Sequence, residues 1–251
     1  MMNIIRADFY RISKSWVTYA PFAGLFLLLL VMVGSSLIQG NVAADTSSLL
    51  YVKQLLSHSQ LFFLLAMIPF VFCVSVPSFS DGTMKNDISW GMSRTTLYVS
   101  KLLVLMMLAV LLYVFFIGSG MVIATAFFGF GDIAPGFWVN LLQSMGAQII
   151  AVLAVCSLMT FLSFLLKKPY VLTEALAALL MIPLVVDWIA GLFNADLSWV
   201  LYFDLASTLQ RFASFSQLDS RTILIGFGAV VTWFTVALVA GITLLRKAEI
   251  K

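Results

Sequence analysis

Charged residues, histidine and cysteine are scarce in this chain. Only 10% of its 251 residues are Asp, Glu, Lys or Arg, and it has one histidine and two cysteines. Soluble domains carry about 25% charged residues, so the composition excludes an ordinary soluble domain. His58, Cys73 and Cys156 are too few to build a zinc site or a Cys–His pair. We expect both cysteines to be apolar fillers inside membrane helices.

The motifs of nucleotide-binding and hydrolytic enzymes are also missing. There is no GxxxxGK[ST] stretch, so the chain has no P-loop for ATP. No GxSxG elbow accompanies the single histidine. The net charge of +3 belongs to residues at the borders of apolar stretches, and it does not indicate a nucleic-acid partner. We predict that the chain is not an enzyme and that it holds no cofactor and no metal.

Six long apolar stretches occupy most of the chain, and 62% of all residues are hydrophobic. Each stretch is near or above the ~20 residues that a helix needs to cross a ~30 Å hydrocarbon core. Backbone amides in lipid must find partners within their own segment, which favours helices. We predict an all-α membrane protein, a single transmembrane domain over residues 1–251, with six spans: Trp16–Ile38, Leu61–Phe79, Leu102–Phe128, Trp138–Leu166, Tyr170–Phe193 and Thr222–Leu245.

Lysines and arginines are sorted between the two sides of this predicted arrangement. With a cytoplasmic N-terminus, eleven of the 14 lie on inner segments and three on outer segments. The positive-inside rule then places both termini in the cytoplasm. The inner set is Arg6, Arg11, Lys14, Lys85, Arg94, Lys101, Lys167, Lys168, Arg246, Lys247 and Lys251, and the outer set is Lys53, Arg211 and Arg221.

Residues 1–15 carry an amphipathic pattern. Apolar residues recur at i, i+4, i+7 and i+11 from Ile5 to Trp16, while the basic residues point elsewhere. A basic helix that lies in the membrane interface, apolar face down, has this pattern. The alternative is a cytoplasmic tail that only holds positive charge. We predict the interfacial helix, with these contact residues: Ile5, Phe9, Arg11 and Ile12.

Residues 80–96, after the second span, predict a short cytoplasmic helix. Asp81 is a suitable N-cap, Gly91 can end the helix in the left-handed conformation, and Ser93 can cap the helix that follows. An exposed tryptophan and a charged pair on so short a helix, held between two spans, indicate a docking surface. The alternative is an interfacial loop anchored by that tryptophan at headgroup level. The predicted docking residues are Thr83, Met84, Lys85, Asp87, Ile88, Trp90 and Arg94.

Residues 194–220, between the fifth and sixth spans, are too apolar for a solvated loop and too polar for a span. Short re-entrant helices that dip into the outer leaflet fit this composition. The alternative is an amphipathic helix on the surface with no role in transport. Four residues at i, i+4, i+8 and i+11 form a predicted outer gate: Leu201, Leu205, Leu209 and Phe212.

Few polar residues lie inside the predicted spans. Glu174 and Asp187 are both near the ends of the fifth span, so each is either a border carboxylate or a functional group. They fall on different faces of the helix, which excludes a paired-carboxylate protease site. Ser144 and Gln148 share a face in the fourth span. Such polar stripes, like the small-residue pairs Gly120–Ala124 and Ala237–Gly241, usually mark helix–helix contact.

The segment DGTMKNDISWGMSRTTLYVSKLL resembles a recurring segment of ABC-2 type exporter permeases. The basic N-terminus and the basic end RKAEIK are similar to the termini of that family. A short permease without a large outer domain is most similar to the bacitracin-resistance, lantibiotic-immunity and cytolytic-peptide exporter permeases. The shared elements in this sequence are Asp81, Gly82 and Thr83, then Gly91, Ser93 and Arg94, then Tyr98 and Lys101.

This resemblance implies a multi-pass permease of the bacterial plasma membrane. It implies two permease subunits per transporter, identical or different, and two ATPase subunits that dock from the cytoplasm and carry ATP and Mg. It assigns Thr83–Trp90 as the coupling helix and residues 194–220 as re-entrant helices. We therefore expect an ATP-driven exporter of amphipathic or antimicrobial peptides, or of lipophilic substrates. An ion-coupled secondary transporter or channel stays open, as does a membrane sensor or scaffold that transports nothing.

Overall fold

A computed structural model describes residues 2–38, 51–52, 55–56, 60–80, 88–89, 91–129, 135–166, 169–193, 201 and 204–247. Within these ranges the chain is almost wholly helical and contains no strand, which confirms the all-α class. The helices are α1 (Met2–Lys14), α2 (Trp16–Ile38), α3 (Gln60–Ser80), α4 (Arg94–Phe128), α5 (Phe137–Leu166), α6 (Pro169–Phe193), α7 (Leu205–Arg211) and α8 (Ser220–Lys247), with a 3-10 helix at Phe212–Gln217.

Four helices in the described part of the chain are long and apolar enough to cross a membrane. The candidate spans are Trp16–Ser35, Arg94–Phe128, Phe137–Leu166 and Ser220–Arg246. The second and fifth predicted spans coincide with α3 and α6, which are helices of 21 and 25 residues. The structure thus indicates a membrane-embedded helical protein, and the count of six spans stays a prediction.

Helix α4 begins earlier than its apolar stretch. Its first residue is Arg94, not Leu102, and it continues for 35 residues to Phe128. The Ser93 hydroxyl caps it by accepting a hydrogen bond from the Thr96 amide at 3.1 Å. Gly91 turns the chain just before, with φ of +82°, a conformation that glycine adopts without strain. The cap and the turn are both where the sequence placed them, and they set the start of α4.

Helices α4 and α5 form the centre of the bundle. Their most apolar windows are 50% and 61% buried, compared with 28% and 22% for the windows of α2 and α8. Helix α5 packs against α3, α4, α6, α7, the 3-10 helix and α8. Small side chains let neighbouring backbones approach closely along such a helix. The buried small residues of α5 include Ser144, Ala147, Ala151, Ala154, Ser157 and Ser163.

Candidate functional site: the junction at the start of α4

The first two turns of α4 bring together α1, the end of α8 and the end of the predicted coupling segment. Arg94, Tyr98 and Lys101 lie at i, i+4 and i+7, which puts them on one side of the helix. Lys101 reaches α1, whereas Tyr98 and Arg94 both reach α8. We call these three residues, together with Ile88 and the groups they contact, the α4 junction.

Lys101 joins α4 to α1 through a buried ion pair. Its Nζ lies 2.7 Å from Asp8 Oδ1 and 2.8 Å from Asp8 Oδ2. The two side chains are only 3% and 8% exposed. Removing one partner of such a pair would leave an uncompensated buried charge, which is strongly destabilising. The pair therefore fixes α1 against α4.

Asp8 is the functional candidate that the sequence analysis missed. It is the only carboxylate in α1, and it shares the buried face of that helix with Ile4 and Ile12. A lone acid on the apolar face of a basic helix is the signal that points to a buried cation partner. The same face includes Ile5 and Phe9, which are half-buried against the core. The predicted apolar face of α1 therefore contacts the helix bundle.

Arg11 ties α1 to α3. Its Nη2 lies 3.3 Å from the Cys73 carbonyl oxygen and 3.3 Å from Asp8 Oδ1. The Cys73 carbonyl is four residues before Pro77, which has no N–H to donate within the helix. A backbone group without a partner is costly in a membrane. Arg11 therefore satisfies a carbonyl that the proline leaves unpaired, while it also contacts the buried carboxylate.

Tyr98 packs into a notch on the surface of α8, at the small residues Ala237 and Gly241. Its hydroxyl donates to the Ala237 carbonyl at 3.2 Å, and its ring packs edge-on against Phe164. At Gly241 a methyl group would overlap the phenol ring, so the notch requires a residue without a side chain. The small pair Ala237–Gly241 thus accommodates a tyrosine from α4. The spacing of the two small residues predicted helix contact there but did not indicate which side chain enters.

Arg94 binds the end of α8. Its Nη1 donates to the carbonyls of Leu245 and Arg246 at 3.2 and 3.1 Å. The last carbonyls of a helix have no partner within it, and a cation also stabilises the negative end of the helix dipole. Ile88, half-buried, packs beside this contact against a small apolar cluster. The cluster consists of Leu97, Tyr98, Leu102, Phe164 and Leu245.

Two of the seven predicted docking residues lie within the described ranges. Ile88 and Arg94 both belong to the α4 junction. The other docking residues lie outside the described residues: Thr83, Met84, Lys85, Asp87 and Trp90. The structure therefore shows where the predicted coupling segment ends, and its helical form and its exposed face stay predictions.

A second polar contact lies inside the bundle, where α5 meets α7. Gln148 is buried, and its Nε2 donates to the carbonyls of Leu56 at 3.0 Å and Leu209 at 2.9 Å. Its Oε1 accepts from the Tyr113 hydroxyl. One amide thus joins α4, α5, α7 and the residues at 55–56. The adjoining cavity is about 10 Å³, room for about one water.

The residues of the predicted outer gate belong to the apolar core in this structure. Leu205, Leu209 and Phe212 are buried, and Leu201 is half-buried. Asp204 caps α7 by accepting a hydrogen bond from the Ser207 amide at 2.6 Å. Leu205 and Leu209 lie on one buried face of α7, and Phe212 begins the 3-10 helix that follows. The re-entrant placement of these helices stays a prediction, as does the role of the four residues as a gate.

The remaining polar candidates that the structure describes lie on separate helices. Glu174 is exposed on α6, and the side chain of Asp187 lies outside the described part of the structure. Cys73 and Cys156 are free thiols on different helices. In the described ranges no three His, Cys, Asp or Glu side chains are placed to hold a metal ion.

No family model and no curated protein matches this chain.

Proposed function

We propose that this chain is the membrane-spanning permease subunit of an ATP-driven exporter of the ABC-2 type. The observation that carries the proposal is the convergence at the α4 junction. Ile88, at the end of the predicted coupling segment, packs on the same turns of α4 that hold Asp8 of α1 and the end of α8. A force applied to that segment would reach three helices at once.

The proposed mechanism starts on separate subunits. Two ATPase subunits bind ATP and Mg and close together on the cytoplasmic side of a bacterial plasma membrane, where both termini of this chain lie. Their closure presses on residues Thr83–Trp90 of each of two permease subunits. The apolar contact of Ile88 passes the displacement to α4. The buried Asp8–Lys101 pair then moves α1 with α4, and the Arg94 contacts move the end of α8.

The proposed cargo is an amphipathic or antimicrobial peptide, or a lipophilic molecule. A polar solute would need groups that replace its hydration, and losing that hydration costs several kcal/mol. The polar group inside the bundle around Gln148 is saturated by protein partners and adjoins a cavity of about 10 Å³. Leu205, Leu209 and Phe212 are buried, so the proposed movement of the helices must expose their apolar side chains for a peptide to leave past them through the outer leaflet.

The buried ion pair also favours a second candidate, an ion-coupled secondary transporter. Ionisable residues buried in membrane proteins commonly mark ion or proton pathways. Lys101, however, is only about 10 Å along α4 from the first residue of that helix. This position near a helix end suits a fixed link between helices better than a pathway through the bundle.

Purification from the native host tests the proposal. The tagged chain should bring down an ATPase, and ATP hydrolysis by the sample should rise with an added membrane-active peptide. Ile88→Asp should abolish this rise while the chain still inserts, because the charge disrupts a half-buried apolar contact. Ser89→Asp, which adds the same charge at the exposed neighbouring position, is the matched control.

Three outcomes separate the candidate functions. Cells without the chain should become more sensitive to the peptide if it is exported. Unchanged sensitivity together with an altered ion gradient would favour the secondary transporter. An ATPase that binds without peptide export would favour a scaffold. Wild-type peptide stimulation in Ile88→Asp would show that the segment before α4 is only a linker.

A further inference from the structure

One face of α1 stays exposed after its apolar face has packed on the bundle. This face holds Arg6, Tyr10 and Lys14 at i, i+4 and i+8, so they lie in a row along the helix. Tyr10 is 69% exposed, and Lys14 Nζ lies 6.0 Å from the centre of its ring. The exposed face is therefore cationic and aromatic.

Two further exposed aromatic residues follow the break between α1 and α2. Trp16 is 84% exposed and Tyr19 is 53% exposed. Two hydrogen bonds cross the break and fix the angle between the helices. The Thr18 hydroxyl donates to the Ile12 carbonyl at 2.7 Å, and the Tyr19 hydroxyl donates to the Ser13 carbonyl at 2.8 Å. The start of α2, which carries both rings, is thus held to the end of α1, which carries the cationic row.

Charge and position both indicate what covers this face. The one carboxylate of α1, Asp8, is turned inward and held by Lys101, so it does not offset the exposed cations. Trp16 is the first residue of the candidate span Trp16–Ser35, so the face lies where hydrocarbon meets headgroups. Tryptophan and tyrosine concentrate at that level, and juxtamembrane lysine and arginine attract anionic lipids.

We propose that Arg6, Tyr10, Lys14, Trp16 and Tyr19 bind the headgroup phosphate of an anionic phospholipid. The two cations contact the phosphate, and the rings of Trp16 and Tyr19 lie beside the glycerol and the upper acyl chains. The site does not depend on the chain being an exporter. It makes the lipid a ligand of the α1–α2 corner, and so of the helix that the Asp8–Lys101 pair connects to α4.

Lipid titration of the purified full chain in detergent tests this site. Phosphatidylglycerol should raise the unfolding temperature and remain bound in native mass spectrometry, whereas phosphatidylcholine with the same acyl chains should not. Removing each cation should weaken phosphatidylglycerol binding about fivefold, so Arg6→Gln/Lys14→Gln should lose about 25-fold. Arg6→Lys should retain binding, because it keeps the charge.

Arg221→Gln is the matched control, because it removes an exposed cation beside the candidate span of α8. It should bind phosphatidylglycerol as wild type does. Equal binding by Arg6→Gln/Lys14→Gln and wild type would overturn the proposal, as would an equal loss in the control. Stabilisation by inorganic phosphate alone would show a phosphate site without lipid. Loss of ATPase co-purification with unchanged lipid binding would assign the face to the ATPase instead.

Discussion

Replacing Asp8 with asparagine should destabilise the protein more than replacing Lys101 with methionine, although the two residues form one ion pair. The reason is the third charge, on Arg11, which lies 3.3 Å from Asp8 Oδ1. Asp8→Asn leaves the Lys101 ammonium, 3% exposed, without its anion and near a second cation. Lys101→Met leaves the carboxylate with Arg11 still beside it.

The magnitudes follow from the burial of the pair. Breaking a buried ion pair by removing one partner costs about 3–5 kcal/mol, so we expect about 4 kcal/mol for Asp8→Asn. We expect about 2 kcal/mol for Lys101→Met, because the guanidinium compensates part of the remaining charge. The double variant removes both charges and should cost about 3 kcal/mol, so the coupling energy is about 3 kcal/mol.

Unfolding of the purified variants in mixed micelles of increasing SDS content, followed by circular dichroism, measures these differences. Leu111→Ala, at a lipid-exposed position of α4, is a control for any change in that helix. An Asp8→Asn variant as stable as wild type would refute the buried-pair reasoning. Equal costs for the two single variants would show that Arg11 does not compensate Asp8, and a double variant whose cost is their sum would show that Asp8 and Lys101 are not coupled.

Three further predictions concern packing, hydrogen bonding and topology. Gly241→Ala should cost about 1–3 kcal/mol, because its methyl overlaps the phenol ring in the notch, whereas Gly146→Ala has open space and should not destabilise. Equal SDS midpoints for the two would contradict this. Gln148→Leu should cost about 2–3 kcal/mol by unpairing a buried hydroxyl and two carbonyls, and a wild-type midpoint would contradict it. Cysteines at Asn86 and Gln217 in a cysteine-free background should label from opposite sides, and labelling of Asn86 on intact cells would overturn the orientation.

Local features of this fold could be predicted from the sequence. The apolar stretches predicted helices, and helices are found. Gly91 and Ser93 were predicted as a turn and a cap because both depend on neighbouring backbone only. The Ser93 cap thereby also predicted the start of α4, which lies two turns before the apolar stretch that begins at Leu102.

Long-range contacts could not be predicted in the same way. Asp8 and Lys101 are 93 residues apart in sequence, and the periodicity of neither helix indicates which residue of the other it contacts. The apolar stripe of α1 was found, but a stripe does not say whether lipid or protein covers it. Gln148 was placed on a contact face, while its partners at Leu56, Leu209 and Tyr113 required the fold.

Helix α4 has the properties of a rigid lever. It contains no proline, and it carries Lys101 in the α4 junction and Tyr113 in the contact with Gln148. These two residues are about 18 Å apart along the axis. If α4 tilts by about 5° about its first residue, Tyr113, which lies about 28 Å along the helix, moves by about 2.5 Å. A displacement of this size would break the hydrogen bond from Tyr113 to Gln148. A small rotation where α1 and α8 attach therefore also separates the groups that hold α7.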